Sequence, residues 1–198
     1  MSRTLIIAPC TVADAVMAQP LIALLKRFDP ARRIDVLAKP SIAPLFRAVA
    51  EVSEVIESSH GFGELQPLAK VGLARRLGAR RYERAYVLPH KRRAAIAPWL
   101  AGIPQRVGIA SRWHWGLINC EHRHAGGAPT AERFARLAFA PDQPLPAIPA
   151  PVLMRNRERE RALRERLGLS DDAMLIVLCP GGDHGPAQRW PWSPPGHN

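Results

Sequence analysis

Short apolar runs alternate with segments of helical character along most of this 198-residue chain. Strands that alternate with helices are typical of a parallel sheet that is covered by helices on both faces. The pattern therefore predicts an α/β fold, a Rossmann-like doubly wound parallel sheet. The predicted strands are 4–8, 33–38, 52–56, 85–88, 106–108 and 174–178, and the predicted helices are 14–27, one starting near Ser41, 65–77, 94–101, 131–139 and 155–167.

The composition excludes several classes of protein. Hydrophobic residues make up 47% of the chain, which is enough for a folded core. No apolar run reaches the 18 or so residues that a membrane span needs. The cysteines Cys10, Cys120 and Cys179 are far apart and odd in number, so they predict neither a disulfide framework nor a metal site. The first residues reach Pro9 too soon for a secretory signal, and we expect a cytoplasmic protein.

A formal net charge of +11 indicates an anionic partner. Nucleic acid, an anionic membrane surface and a phosphorylated substrate all fit this charge. The chain is also rich in arginine, alanine and proline, a bias that GC-rich coding DNA produces without any function. No nucleic-acid-binding motif is present, so nucleic acid is not an expected partner.

Ligands of doubly wound sheets bind beyond the carboxyl ends of the strands, so we expect the binding residues in the loops that follow the strands. Asp14 follows the first predicted strand. Its carboxylate is placed to act as a general base, and it is equally placed to cap the next helix or to lie in its first turn. Spacing alone favours the capping interpretation.

A second loop, after strand 85–88, carries four potentially cationic residues, His90, Lys91, Arg92 and Arg93. Such a group predicts either a clamp for a phosphorylated ligand or the solvated start of a helix. The residues by themselves favour neither alternative.

Two further segments contain aromatic, histidine or glycine residues. Trp113 and Trp115 fit a sugar-stacking platform, although packing is the more usual role of such a pair. The nearby His122 and His124 lack the carboxylate or cysteine neighbours that would complete a metal site. Residues 179–191 form a glycine-rich turn that suits close approach to a phosphate, but they contain neither a P-loop nor a G-x-G-x-x-G pattern.

Four blocks of sequence together resemble one family of enzymes. They are 9–21 (PCTVADAVMAQPL), 84–102 (RAYVLPHKRRAAIAPWLAG), 116–119 (GLIN) and 179–191 (CPGGDHGPAQRWP). In order and spacing they are similar to the lipopolysaccharide heptosyltransferases of type II, which belong to glycosyltransferase family 9 and have the GT-B fold. The resemblance covers essentially the whole chain.

The resemblance implies two Rossmann-like domains that face each other across a cleft. Residues 1–170 would form the domain that binds the lipopolysaccharide inner-core acceptor, and residues 171–198 would begin the domain that binds ADP-heptose. Asp14 would be the catalytic base of a transfer with inversion. The acceptor contacts would be Thr11, His90 and Arg93, and the donor phosphate contacts would be Gly181, Gly182, Gln188 and Arg189.

The same resemblance implies no metal and no cofactor beyond the donor substrate ADP-heptose, and a peripheral contact with the inner face of the anionic inner membrane. Ala13 stands where the family has glycine. Alanine adopts a positive φ only at an energetic cost, so if the family conformation needs a positive φ here, the orientation of the Asp14 carboxylate would change. Most of the second domain is missing, and we expect no transferase activity from the chain on its own. Two alternatives are a stand-alone basic module for an anionic glycolipid and a family 9 transferase that uses another nucleotide-sugar.

Overall fold

The structure is a computed structural model that describes residues 2–58, 67–110, 116–123, 127–140, 143–170 and 174–178. The chain divides into two compact units, residues 1–154 and 155–198. The domain bounds 1–170 and 171–198 stay a prediction. None of the described helices is both long enough and apolar enough to cross a membrane.

Six parallel strands form a single sheet in the first unit, in the order β3-β2-β1-β4-β5-β6. The strand order therefore reverses between β1 and β4, where the chain crosses from one half of the sheet to the other. This arrangement confirms the predicted doubly wound α/β class. The strands are β1 (Arg3–Ile7), β2 (Arg33–Ala38), β3 (Glu54–Glu57), β4 (Arg84–Val87), β5 (Gln105–Ile109) and β6 (Cys120–His122).

Helices cover both faces of the sheet, because successive side chains of a strand point to opposite faces. Ile6 packs in a core with the first, second, third and sixth helices, and its neighbours Leu5 and Ile7 pack in another core with the fourth and fifth. The helices are α1 (Val12–Met17), α2 (Gln19–Phe28), α3 (Ala43–Phe46), α4 (Pro67–Gly78), α5 (Arg93–Leu100), α6 (Thr130–Ala135), followed by a 3₁₀ turn Arg136–Ala138, and α7 (Arg157–Leu167).

The first helical segment is two helices rather than the single helix predicted over 14–27. It begins at Val12, because Thr11 caps it, and it is interrupted at Ala18. Pro20 lies in the first turn of α2, where a residue without an N–H group is tolerated because that group has no partner inside the helix. The proline therefore marks a helix start that the apolar pattern alone does not reveal.

Two other local predictions differ from the structure. The cap predicted at Ser41 is wrong, since α3 starts after Ile42 without a side-chain cap. The strand predicted over 174–178 is also wrong. These residues have irregular backbone, and Met174 and Leu178 are 87% and 82% exposed. A strand needs a neighbour for its N–H and C=O groups, and no described strand pairs with this segment.

Candidate functional site

The loops that follow β1 and β4 leave the sheet side by side. Ile7 lies opposite Val87 in the parallel ladder, and the N–H of Leu88 donates to the carbonyl of Ile7 at 3.3 Å. The first loop leads to Thr11 and α1, and the second contains His90 and leads to α5. Both loops carry residues that the sequence predicts to bind a ligand, and the topology places them next to each other where the strand order reverses.

Thr11 fixes the start of α1 and thereby the position of Asp14. Its Oγ1 accepts a hydrogen bond from the N–H of Asp14 at 3.1 Å, and its backbone is extended, as expected of a residue that caps a helix. Asp14 is half-buried and lies in the first turn. The interpretation of Asp14 as the cap is therefore wrong, and its first-turn position is confirmed.

The carboxylate of Asp14 makes no hydrogen bond or ion pair with any other residue that the structure describes. Its location near the amino end of a helix is electrostatically favourable for a negative charge. The carboxylate is therefore held in place through the backbone while its oxygens remain available. Its role as a catalytic base stays a prediction.

Ala13, which replaces the glycine of the family pattern, does not disturb this geometry. It lies inside α1. In the described ranges, Arg81 is the only residue other than glycine with a positive φ. The local conformation that positions Asp14 therefore does not need the backbone freedom of glycine.

Arg133 of α6 joins the second loop through its side chain. Its Nη2 lies 2.8 Å from Nε2 of His90. A guanidinium has only hydrogen-bond donors, so Nε2 is the acceptor and the imidazole is neutral in this contact. The two residues are 43 positions apart, and no feature of the sequence pairs them. Arg133 is therefore a candidate site residue that sequence analysis missed.

The second loop keeps its positive charge at the carboxyl edge of the sheet. His90, Lys91, Arg92 and Arg93 are all exposed. The first turn of α5 contains no acidic residue. Because the amino end of a helix already carries partial positive charge, the charges of Lys91, Arg92 and Arg93 create a local potential that favours an anion. The geometry thus fits the clamp interpretation of this loop.

His122 does not belong to the exposed site. It is 5% exposed, and its buried Nδ1 has no hydrogen-bond partner in the described part of the chain. Burial, and secondarily the charge of Arg136, lower the pKa of its imidazole. Among the described residues, no group of three or more histidine, cysteine or acidic side chains is arranged to hold a metal ion.

The chain matches a known family of enzymes. The family described as Glycosyltransferase family 9 (heptosyltransferase) matches residues 71–193. The chain belongs to glycosyltransferase family 9. The chain is 33% identical over 198 residues to Lipopolysaccharide heptosyltransferase 2 of Escherichia coli K12, and 35% identical over 202 residues to the protein of the same name in Salmonella typhimurium. Each match covers 96% of this chain and 57% of the relative, so the chain spans little more than half of their length.

One solved structure agrees with the family assignment, and a second agrees with the fold. The structure of Escherichia coli ADP-heptose lps heptosyltransferase II matches with a TM-score of 0.82 and 32% identity, over 96% of this chain and 58% of that one. A family 9 glycosyl transferase from Veillonella parvula matches with a TM-score of 0.81 over 96% of this chain and 56% of that one. Its identity is 15%, so this second match supports the fold alone.

The third block of the family 9 resemblance, residues 116–119, lies at the opposite edge of the sheet. Oδ1 of Asn119 accepts from the N–H of Arg106, and Nδ2 of Asn119 donates to the carbonyl of Pro104, both at 2.7 Å. These bonds join the starts of β5 and β6. Asn119 therefore stabilises the sheet and does not take part in the site.

The predicted donor side of this family 9 chain lies outside the described residues. That side includes Gly181, Gly182, Gln188 and Arg189, and their contacts with a donor phosphate stay a prediction. Trp113, Trp115 and His124 also fall outside the described ranges. The described candidate site therefore consists of the loops that follow β1 and β4.

Proposed function

We propose that the chain is the acceptor-binding part of an inverting glycosyltransferase that moves heptose from ADP-heptose to the lipopolysaccharide inner core. The observation that carries this proposal is the available carboxylate of Asp14, held by the Thr11 cap beside a basic loop. The names of the curated relatives, and the solved structure that names ADP-heptose, support the choice of substrates. We place the reaction at the cytoplasmic face of the inner membrane, with peripheral contact.

In the proposed reaction, Asp14 takes the proton of an acceptor heptose hydroxyl. The resulting oxygen nucleophile attacks the anomeric carbon of the donor from the face opposite ADP. The bond between that carbon and the diphosphate oxygen breaks, and its electron pair leaves with ADP. A single base is sufficient because the configuration inverts in one displacement. We assign stabilisation of the departing diphosphate to Gly181, Gly182, Gln188 and Arg189.

The basic loop is proposed to hold the phosphorylated inner core. His90 and Arg93 are exposed beside the loop of Thr11, and Arg133 orients the imidazole of His90. Charged groups that bind phosphate also position the sugar hydroxyl for attack, since correct orientation lowers the barrier of a displacement. No metal ion and no further cofactor takes part in this proposal.

The acceptor part of the proposal is tested by binding of purified inner-core lipopolysaccharide to the chain itself. His90→Ala and Arg93→Ala should each weaken binding by about tenfold to 150-fold, the effect of one hydrogen bond to a charged group. Asp14→Asn should bind as tightly as the unmodified chain, because its shape is kept. Exposed Arg27 in the last turn of α2 offers a matched control, and Arg27→Ala should leave the affinity unchanged. Equal losses in Arg93→Ala and Arg27→Ala would contradict a specific acceptor site.

The catalytic part is tested by transfer of heptose. We expect none from the chain alone, and restored transfer when the chain is joined to the portion of the Escherichia coli relative that it does not cover. Asp14→Asn in the joined protein should lower kcat by about 10²- to 10⁴-fold, the usual contribution of a general base. A joined Asp14→Asn protein with an unchanged kcat would remove Asp14 from the mechanism. A preference for another nucleotide-sugar in the same assay would support the alternative donor.

A further inference from the structure

Helices α4 and α5 lie side by side on one face of the sheet. Leu73 and Leu77 of α4 are buried in the same core as Ala95 of α5. A Cβ added to Gly78, at the end of α4, would lie 3.2 Å from the carbonyl oxygen of Ala101, just after the end of α5. The outer sides of the two helices therefore form one continuous surface. We name it the α4–α5 face, and its exposed residues are Val71, Arg75, Arg76, Arg92, Trp99 and Leu100.

The α4–α5 face carries positive charge without any negative charge. Residues 67–81 and 91–104 contain no aspartate or glutamate. Arg75, Arg76 and Arg92 are exposed, and none has a hydrogen-bond or ion-pair partner in the described part of the chain. Arg80, which follows α4, differs from them, because it is paired with Glu54 at 2.6 Å. The three cations of this face therefore remain available to a partner.

Large apolar side chains lie among these cations. Trp99, Leu100 and Val71 are 48%, 43% and 40% exposed. Tryptophan prefers the boundary between water and hydrocarbon, because its ring is apolar and its N–H needs a polar partner. A helix surface that combines cations with tryptophan and leucine is typical of proteins that lie on an anionic membrane. The phosphates of nucleic acid would pair with the cations, but they would not bury the exposed leucine and valine side chains.

We propose that the α4–α5 face docks onto an anionic phospholipid bilayer. This inference rests on the proposed function for its setting and deepens it by naming the surface that meets the membrane. The position of α5 supports it, since the loop that contains His90 leads directly into this helix. Docking through α5 therefore holds the acceptor loop close to a surface in which a glycolipid acceptor is anchored.

The charge contribution is tested by sedimentation of the chain with vesicles of phosphatidylcholine, alone or mixed with phosphatidylglycerol. We expect binding to the mixed vesicles and little to phosphatidylcholine alone. The double variant Arg75→Gln/Arg76→Gln should bind the mixed vesicles about 30-fold more weakly, from the usual contribution of two cations at such a surface. Neither arginine belongs to the acceptor or catalytic groups.

The matched control removes the same charge from a different helix. Lys26 and Arg27 lie in the last turn of α2, which covers the opposite face of the sheet, and Lys26→Gln/Arg27→Gln should change vesicle binding by about threefold or less, because solution salt screens charges more than about 10 Å from the membrane. Equal losses in the two double variants would show that the total charge, and not the α4–α5 face, drives binding. That result would overturn the inference.

The apolar contribution separates a membrane from nucleic acid. Leu100→Gln should weaken binding to the mixed vesicles by at least about threefold, since the exposed part of the leucine side chain would no longer be buried in the bilayer. The same change should leave binding to duplex DNA unaltered. Circular dichroism melting checks that each variant is folded. Tighter binding to DNA than to vesicles, with no effect of Leu100→Gln on either, would overturn the inference in favour of a nucleic-acid surface.

The vesicle assay contains neither acceptor nor donor, so its failure is distinct from failure of the proposed function. Asp14→Asn should bind vesicles like the unmodified chain. A chain that binds lipopolysaccharide but not the mixed vesicles would disprove the membrane-docking role of the α4–α5 face and leave the proposed acceptor intact. A chain that binds the vesicles but not lipopolysaccharide would support the docking role and disprove the proposed acceptor.

Discussion

The hydroxyl of Tyr82 donates a 2.7 Å hydrogen bond to Oδ2 of Asp35, a carboxyl group that is completely buried in β2. Arg80 approaches the same oxygen at 3.3 Å and also forms a bidentate pair with Glu54 of β3. Burial, and then the neighbouring Asp35, raise the pKa of Tyr82 far above the physiological range, so its hydroxyl remains a donor. This network ties the end of α4 to two strands of the sheet.

Tyr82→Phe should therefore destabilise the fold by about 1.5–3 kcal/mol, the usual contribution of a hydrogen bond to a charged group. Tyr86 is the other tyrosine and supplies the control, because within the described ranges the one bond of its hydroxyl is a 3.2 Å bond that it accepts from Arg84. Tyr86→Phe should cost no more than about 1 kcal/mol. Urea unfolding at neutral pH measures both changes. Equal losses would show that the buried carboxyl does not depend on Tyr82.

Thr11 offers a second prediction, because its side chain is the cap that positions α1. Thr11→Val keeps the shape of the side chain and removes the acceptor for the N–H of Asp14. We expect a loss of about 1 kcal/mol in unfolding free energy and faster hydrogen exchange in α1. Thr11→Ser keeps the acceptor and should show neither effect. Unchanged exchange in Thr11→Val would mean that packing alone fixes the start of this helix.

The sequence predicted most of the sheet because its central strands are apolar runs buried on both faces. The strand predicted over 33–38 is β2 as observed, and those over 4–8 and 85–88 are displaced by one residue. It did not predict β6, whose three residues Cys120–His122 form no apolar run and become a strand only by pairing with β5. Segment 174–178 shows the reverse. An apolar run indicates only that burial of its side chains is favourable. A strand also needs a neighbouring strand that pairs with its backbone N–H and C=O groups.

The sequence also predicted the location of part of the candidate site, while a contact within that site was not predictable. Asp14 and His90 were placed correctly at the carboxyl edge, because each follows a recognisable strand. The interaction between His90 and Arg133 was not predictable, since it depends on how α6 packs against α1 and α2. Contacts between remote segments follow from tertiary packing, and a single sequence carries no local signal for them.

Two glycines give opposite predictions for the same substitution. Gly72 lies in α4, and among the described residues an added Cβ would meet no atom within 4 Å apart from its chain neighbours and the backbone of its own helix, so Gly72→Ala should stabilise the fold by about 0.5–1 kcal/mol through reduced backbone entropy. At Gly108 of β5 a Cβ would lie 3.3 Å from the carbonyl oxygen of Val87 and 3.2 Å from Cδ1 of Ile118. The ladder between β4 and β5 holds that oxygen in place.

Gly108→Ala should therefore destabilise the fold by about 1–3 kcal/mol, as other overpacked sites do. Thermal unfolding of the two alanine variants beside the unmodified chain measures the difference in sign. A stabilising Gly108→Ala would mean that Ile118 and the strand both move aside at little cost.

His122 predicts how stability depends on pH. Its pKa in the folded chain is lowered from the usual value of 6.5, because burial disfavours the charged imidazole and Arg136 repels it. Below that usual value the unfolded chain binds a proton that the folded chain resists. The free energy of unfolding should therefore fall as the pH drops through about 6.5 towards 5, and His122 should add no slope above pH 7.5 or so.

His122→Gln removes the titrating group, so the difference between the stability curves of the two proteins isolates its contribution. We expect the variant to be less stable at pH 8 or so, because it places an amide in the buried site, and to lose less stability on acidification. Urea unfolding across this range measures both effects. Carboxyl groups titrate mainly below about pH 5 and contribute little within it. Parallel curves for the two proteins would show that other histidines cause the acid loss and that His122 can be protonated in the folded chain.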